Sequence, residues 1–135
     1  MYEMSEMIHL LLIRGLPGSG KTTLAKNIVS LSGFEQCRVF EADQYFMVDG
    51  EYKFDASKLG QAHYQCQVNT RQALEQGLFV MVANTFTKRS ELEPYYDIAE
   101  GLNKTVSEII CTGDYGSTHG VPFEVIEKMK NRFEW

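Results

Sequence analysis

Residues 8–25 read Ile8-His9-Leu10-Leu11-Leu12-Ile13-Arg14-Gly15-Leu16-Pro17-Gly18-Ser19-Gly20-Lys21-Thr22-Thr23-Leu24-Ala25. An aliphatic run of strand length is cut off by a glycine-rich turn. Directly afterwards Leu24, Ala25, Ile28 and Leu31 recur at helical spacing, closed by Ser32-Gly33. A strand buried on both faces has such a composition, because neither face is left to water. The turn fits Gly-x-x-x-x-Gly-Lys-Ser/Thr at every fixed position from Gly15 to Thr22, which is the pattern of a phosphate-binding loop. Its glycines admit positive φ, so successive N–H groups converge on phosphate oxygens. The helix that follows adds the positive end of its dipole. Lys21 supplies a point charge for the β- and γ-phosphates, and Thr22 a hydroxyl for Mg²⁺. Gly15, Pro17, Gly18, Ser19, Gly20, Lys21, Thr22 and Thr23 are therefore the candidate nucleoside-triphosphate contacts.

Working outward, residues 37–41 form a second short strand, and a turn around Asp49-Gly50 leads into a long helix over residues 57–76. Leu59, Ala62, Cys66, Ala73 and Leu74 mark its buried stripe, and Gly77 stops it. Residues 78–83 form an apolar third strand. Ser90-x-x-Glu93 has capping-box spacing, Pro94 belongs to a first helical turn and Gly101 ends that helix. Residues 105–111 are the fourth strand. The last helix starts at Pro122, with Glu124 and Glu127 early and Lys128, Lys130 and Arg132 late, as the helix dipole prefers. Ile126, Met129 and Phe133 form its apolar face. Such alternation of strand and helix predicts an α/β fold, a parallel sheet with helices on both faces.

Composition narrows the function classes. A chain of 135 residues has the size of one domain, and the four strand–helix units use nearly all of it. The formal net charge of −5 disfavours a general coating of nucleic acid or anionic membrane but leaves room for a local cationic groove. No apolar run approaches the ~20 residues of a spanning helix or the core of a signal peptide. Cys37, Cys66 and Cys111 are odd in number and far apart, which argues against a disulfide scaffold or zinc site and fits a reducing cytoplasm. No membrane partner is expected, and the oligomeric expectation is a monomer or weak oligomer.

The stretch from Arg14 to Ala25 resembles the P-loop of the polynucleotide-kinase-like branch of the P-loop kinases. Further matches follow in order: Asp43, then Asp49-Gly50-x-Tyr52-x-Phe54, Ala62-His63, Asn84-Thr85, Glu91, Pro94-Tyr95 and His119-Gly120-Val121-Pro122. The resemblance implies a three-layer α/β/α P-loop kinase with strand order 2-3-1-4. Its cofactors would be ATP and Mg²⁺, and the acceptor a hydroxyl, with a polynucleotide or nucleotide 5′-OH as a candidate. A small hydroxyl acceptor is the other candidate.

Asp43 lies just past the second strand, at the carboxyl-end crevice where α/β sheets bind ligands. The resemblance makes it the base that takes the acceptor proton. The catalytic set is then Lys21 and Asp43, and the metal set Thr22 and Asp43. Glu41 shares a strand face with Asp43 if the strand persists; it serves the metal, tunes Asp43, or is a solvated strand-end charge.

Two departures, with the small size and the acidic charge, keep a second reading open, that of an ATP-binding or ATPase regulatory or interaction module with little or no transfer. Ala83 stands where related kinases carry an aspartate before Asn84-Thr85. The glycine-rich segment 111–120, expected to act as a lid, has no arginine, and His119, Lys128 and Arg132 are the substitutes, with Lys130 read as a dipole partner. Phe46 occupies the region where phage end-healing kinases carry an acceptor-binding arginine. Lys88-Arg89 is a candidate acceptor-phosphate contact or a solvated helix start. His63 is expected in the core, and Tyr45, Phe46, Tyr52 and Phe54 are core aromatics or base-stacking groups.

Overall fold

The computed structural model describes residues 7–116 and 120–135. Strand β1 (Leu10–Arg14) is buried along its whole length, as its unbroken aliphatic run requires. It pairs in parallel with β5 (Phe79–Ala83) on one side and β6 (Val106–Ile110) on the other, and β2 (Cys37–Phe40) pairs with the far edge of β5. The order β2-β5-β1-β6 is the expected 2-3-1-4, with the loop-bearing strand inside the sheet.

Alternate residues of the central strands feed two cores. Leu10, Leu12, Val80 and Val82 face helices α2 (Leu59–Glu75) and α3 (Glu93–Gly101), packing on Leu74, Leu92, Tyr95 and Ile98. Leu11, Ile13, Met81 and Ala83 face α1 (Lys21–Ser32), packing on Ala25, Leu24 and Ile28. The fold is thus α/β with helices on both sheet faces. Helix α4 (Phe123–Arg132) contributes no fully buried residue. Its expected apolar face of Ile126, Met129 and Phe133 is only half-buried.

Local chemistry moves several boundaries. The second strand ends at Phe40, and Glu41 caps a 3-10 turn (Ala42–Phe46) in which Glu41 and Gln44 bond each other's backbone N–H groups. This reciprocal cap overrides the strand continuation that would have put Glu41 and Asp43 on one face. The turn at Asp49-Gly50 closes a small hairpin of β3 (Met47–Val48) and β4 (Glu51–Tyr52), with φ of 51° and 80° at its two central residues, the signs of a type I′ turn. Asp55 accepts from the Ser57 N–H at 3.0 Å and from Ser57 Oγ at 2.7 Å. That single turn delays α2 to Leu59, which is exposed rather than on the buried stripe; Thr70 joins the stripe instead. Ahead of α3 the cap is not Ser90 with Glu93: Glu91 Oε2 accepts from the Lys88 N–H at 3.0 Å.

Candidate functional site

The glycine-rich loop connects β1 to α1 at the carboxyl edge of the sheet. Its entry is anchored on both neighbouring strands: the Gly15 N–H donates to the Thr85 carbonyl at 3.3 Å and the Cys111 N–H to the Arg14 carbonyl at 2.7 Å. Gly20 caps α1 with no side-chain hydrogen bond, and the first turn carries no acid. The orphan N–H groups and the dipole of that helix end are therefore left to an anion. Lys21 folds back over the loop, donating to the carbonyls of Gly15 at 2.8 Å and Leu16 at 2.9 Å. Burial holds its ammonium below the ordinary lysine range, and the charges of Glu41, Cys111 and Asp43 pull the other way. A cation that is partly stripped of water and held by two carbonyls is ready to exchange them for phosphate oxygens.

Thr22 Oγ1 donates to Glu41 Oε1 at 2.7 Å. Glu41 thus stands against the P-loop threonine while also capping its own 3-10 turn. Both atoms are hard oxygens, the donors Mg²⁺ takes. The residues therefore fit a Mg²⁺ ion held beside a triphosphate. Ala83, at the end of β5, turns its side chain into the apolar cluster under α1, with only 3% of its surface exposed.

Asp43, on the 3-10 turn, is half-buried and accepts from Tyr52 Oη at 3.3 Å. Asn84 is buried at the end of β5, and its Oδ1 accepts from the Ala42 N–H at 2.8 Å. The Asn84 side chain thus holds the turn that carries Asp43. Between that turn and α2 lies a pocket of about 160 Å³, lined by Glu41, Gln44, Tyr45, Gln65 and Asn69 among others. Among the described residues no lysine or arginine lines it.

On the opposite side, residues 112–116 lie directly on the loop. The Tyr115 N–H donates to the Gly18 carbonyl at 2.8 Å. A Cβ on Gly18 would stand 2.5 Å from the Gly116 carbonyl oxygen, and one on Gly113 2.9 Å from the Ser19 carbonyl oxygen. Gly113 thus allows backbone to rest on backbone here. Ser19 Oγ is buried without a hydrogen-bond partner among the described residues. It borders a second pocket of about 190 Å³, with Gly15, Leu16, Lys130, Phe133 and Trp135 among its walls.

The remaining sequence candidates separate clearly. Lys130, read as a dipole partner, is the α4 cation that borders the loop. Arg132 Nε donates to Thr87 Oγ1 at 3.1 Å, and His119 lies outside the described residues. Arg89 makes a two-pronged pair with Glu108, at 3.2 and 2.7 Å, so it is already committed to a carboxylate rather than to an acceptor phosphate. His63 is exposed, not a core histidine. Phe46 is buried against Phe54, ring centroids 5.1 Å apart, and packs with Ala42 and Ala62, whereas Tyr45 and Phe54 stay exposed.

Arg14 was not singled out in sequence, although a cation closing a fully aliphatic strand must find partners. It is completely buried. Its Nε and Nη2 donate to the Phe86 carbonyl at 3.1 and 3.0 Å, and Nη1 reaches Glu108 at 3.3 Å. Further bonds go to the carbonyls of Glu134 and Trp135, and the Phe133 ring lies 4.9 Å from the guanidinium carbon. Phe86 presents its carbonyl from φ 46°, a left-handed conformation that costs a bulky residue ~1–3 kcal/mol. The strand entering the P-loop, the loop after β5 and the last residues of the chain thus share one cation.

Comparison with known proteins places this geometry. The family described as an AAA domain matches residues 10–116. Human NEDD4-binding protein 2 is 35% identical over 94 residues, 67% of this chain but 5% of that protein. The chain therefore spans a small part of that relative. Among solved structures, the Pnkp1/Rnl/Hen1 complex superposes with a TM-score of 0.64 at 18% identity, covering 88% of this chain and 38% of that one. The Mycobacterium tuberculosis APS kinase CysC, in complex with AMPPNP and APS, gives a TM-score of 0.62 at 16% identity, over 90% of this chain and 67% of that one. At such identities the superpositions establish a P-loop kinase-like fold.

Proposed function

The chain belongs to the AAA domain family, and from that membership and its site we propose that it is an ATP-binding phosphotransferase that moves the γ-phosphoryl group to a hydroxyl acceptor. The observation that carries the reading is the convergence of Lys21, the Thr22–Glu41 pair and Asp43 on the carboxyl edge of β1, β2 and β5. Phosphoryl transfer is mainly positioning and charge stabilisation, and these groups supply both.

The triphosphate lies on the loop amides, with Lys21 exchanging its carbonyl partners for phosphate oxygens. Thr22 and Glu41 would hold Mg²⁺, which would neutralise charge on the phosphates. Asp43 takes the proton of the acceptor hydroxyl. The acceptor oxygen bonds to the γ-phosphorus as the bond to the β-phosphate oxygen breaks, and ADP leaves. Asn84 acts through the 3-10 turn as a positioning residue.

The acceptor side carries the acid Glu41 and otherwise uncharged groups among its described lining residues. Gln44, Tyr45, Gln65 and Asn69 line the pocket beside Glu41, and amides and phenols pair well with sugar hydroxyls and base edges. A 5′-OH of a polynucleotide or nucleoside fits that wall. Likeness to a Pnkp1-containing RNA repair complex supports the polynucleotide form. A nucleotide-regulated interaction module is the second reading, favoured by Ala83 at the end of β5 and by the arginine-free segment 111–120.

The deciding experiment incubates the protein with Mg²⁺ and γ-labelled ATP against 5′-OH DNA, 5′-OH RNA, nucleosides and sugars. Label transferred to one acceptor class supports the kinase. Label appearing only as free phosphate, or remaining on ATP, selects the second reading.

A further inference from the structure

We propose that Tyr115 is the platform on which the nucleobase of the bound triphosphate stacks, so that the site selects nucleotides by their triphosphate and not by base identity. The inference rests on the reading of the P-loop as a nucleoside-triphosphate site and adds the base subsite to it.

Tyr115 is 81% exposed, yet its position is set by the loop itself. Its N–H is bonded to the Gly18 carbonyl at 2.8 Å. Its ring covers Gly20, where a Cβ would stand 3.3 Å from the ring, and also Gly113, where a Cβ would collide with it. An aromatic ring is thus laid against the residue that caps α1, with most of its surface open to water. A ring held in place by the loop and open to water offers its free face to a flat ligand.

The direction of the base follows from the charges around the helix end. On the β2 side stand the carboxylates Glu41 and Asp43, with the amide-lined pocket beyond them. That side faces the metal and the acceptor. The β6 side presents Tyr115. A nucleotide whose triphosphate runs along the loop toward the acids therefore directs its sugar and base past Gly20 toward that ring.

Stacking is sequence-tolerant, because every base has a π-face. Purines should bind alike if the ring supplies the principal base contact.

The test is titration calorimetry of the full chain with Mg·ATP, Mg·GTP and Mg·tripolyphosphate, in wild type, Tyr115→Ala and Tyr115→Phe. The expected result is that wild type binds ATP and GTP within about threefold of each other. Tyr115→Ala should lose about tenfold in affinity for both, keep its tripolyphosphate affinity, and be rescued by Tyr115→Phe. Nucleotide affinity unchanged in Tyr115→Ala overturns the inference. So does a change in tripolyphosphate affinity, which makes Tyr115 a brace or a cover of the loop. Strong preference for one purine in wild type overturns the claim on selectivity. Failure of wild type to bind tripolyphosphate at all removes the P-loop reading, and the inference with it.

Discussion

Thr22 and Glu41 meet across the gap between the first turn of α1 and the end of β2, hydroxyl to carboxylate at 2.7 Å. The strand next to β1 offers Ala83 at the corresponding edge, so the acid beside the P-loop threonine is supplied one strand further out. Replacing Glu41 by Gln keeps the size and removes the charge. Groups of this kind typically change metal affinity by ~10–100-fold. Mg²⁺ titrations of the nucleotide complex should show a loss of that order in Glu41→Gln, while metal-free ATP binding stays near wild type. Equal Mg²⁺ dependence in the two proteins would return Glu41 to a capping role for its 3-10 turn.

Lys21 and Asp43 should separate binding from chemistry. Lys21→Ala removes the cation that exchanges loop carbonyls for phosphate oxygens, so ATP affinity and label transfer should both fall by at least about tenfold. Asp43→Asn keeps a neutral partner for Tyr52 but cannot take a proton. ATP affinity should stay within about threefold while transfer drops by about 10²–10⁴-fold. Transfer at the wild-type rate in Asp43→Asn would exclude this residue as the base.

The sheet was legible because β1 and β5 are buried on both faces, and only unbroken apolar runs satisfy that. The P-loop was legible because its backbone demands glycine at fixed spacings. Glu41 was ambiguous in sequence: its role depends on a two-residue cap with Gln44 that turns the chain away from the strand. Asn84 and Arg14 depend on partners 42 and 94 residues away, at Ala42 and Glu108, and no local pattern encodes such separations. Tyr115 was obscured for a different reason, since a glycine-rich segment looks mobile until its glycines are seen to permit close packing.

Glu108 should prove to be a stability residue. It faces the fully buried Arg14 and also accepts from Arg89 and Tyr96. Glu108→Ala leaves the Arg14 charge with backbone carbonyls alone, and losing one partner of a buried pair costs ~3–5 kcal/mol. The carbonyls of Phe86, Glu134 and Trp135 soften this to ~2–3 kcal/mol, because hydrogen bonds to a charged group offset part of its desolvation. Urea unfolding should show that loss without a change in m-value. An unchanged midpoint would mean that Arg14 is satisfied by the carbonyls alone.

The pH dependence of stability should carry a contribution from His9, which joins the start of β1 to the residue before β6. The Thr105 N–H donates to His9 Nδ1 at 3.0 Å, so this nitrogen must stay unprotonated. Burial, and secondarily the charge of Lys104, holds the imidazole below its ordinary value. The unfolded chain therefore binds the proton first as pH falls. The contribution is complete above the unfolded value near ~6.5, declines below it, and is gone once pH has passed the lowered folded value. Urea midpoints taken between pH 7.5 and 4.5 should fall more steeply in wild type than in His9→Asn over the upper part of that range. An NMR titration should place the His9 ring below a free imidazole. Parallel midpoint curves, or a His9 ring titrating at or above the free value, would remove this residue from the acid response.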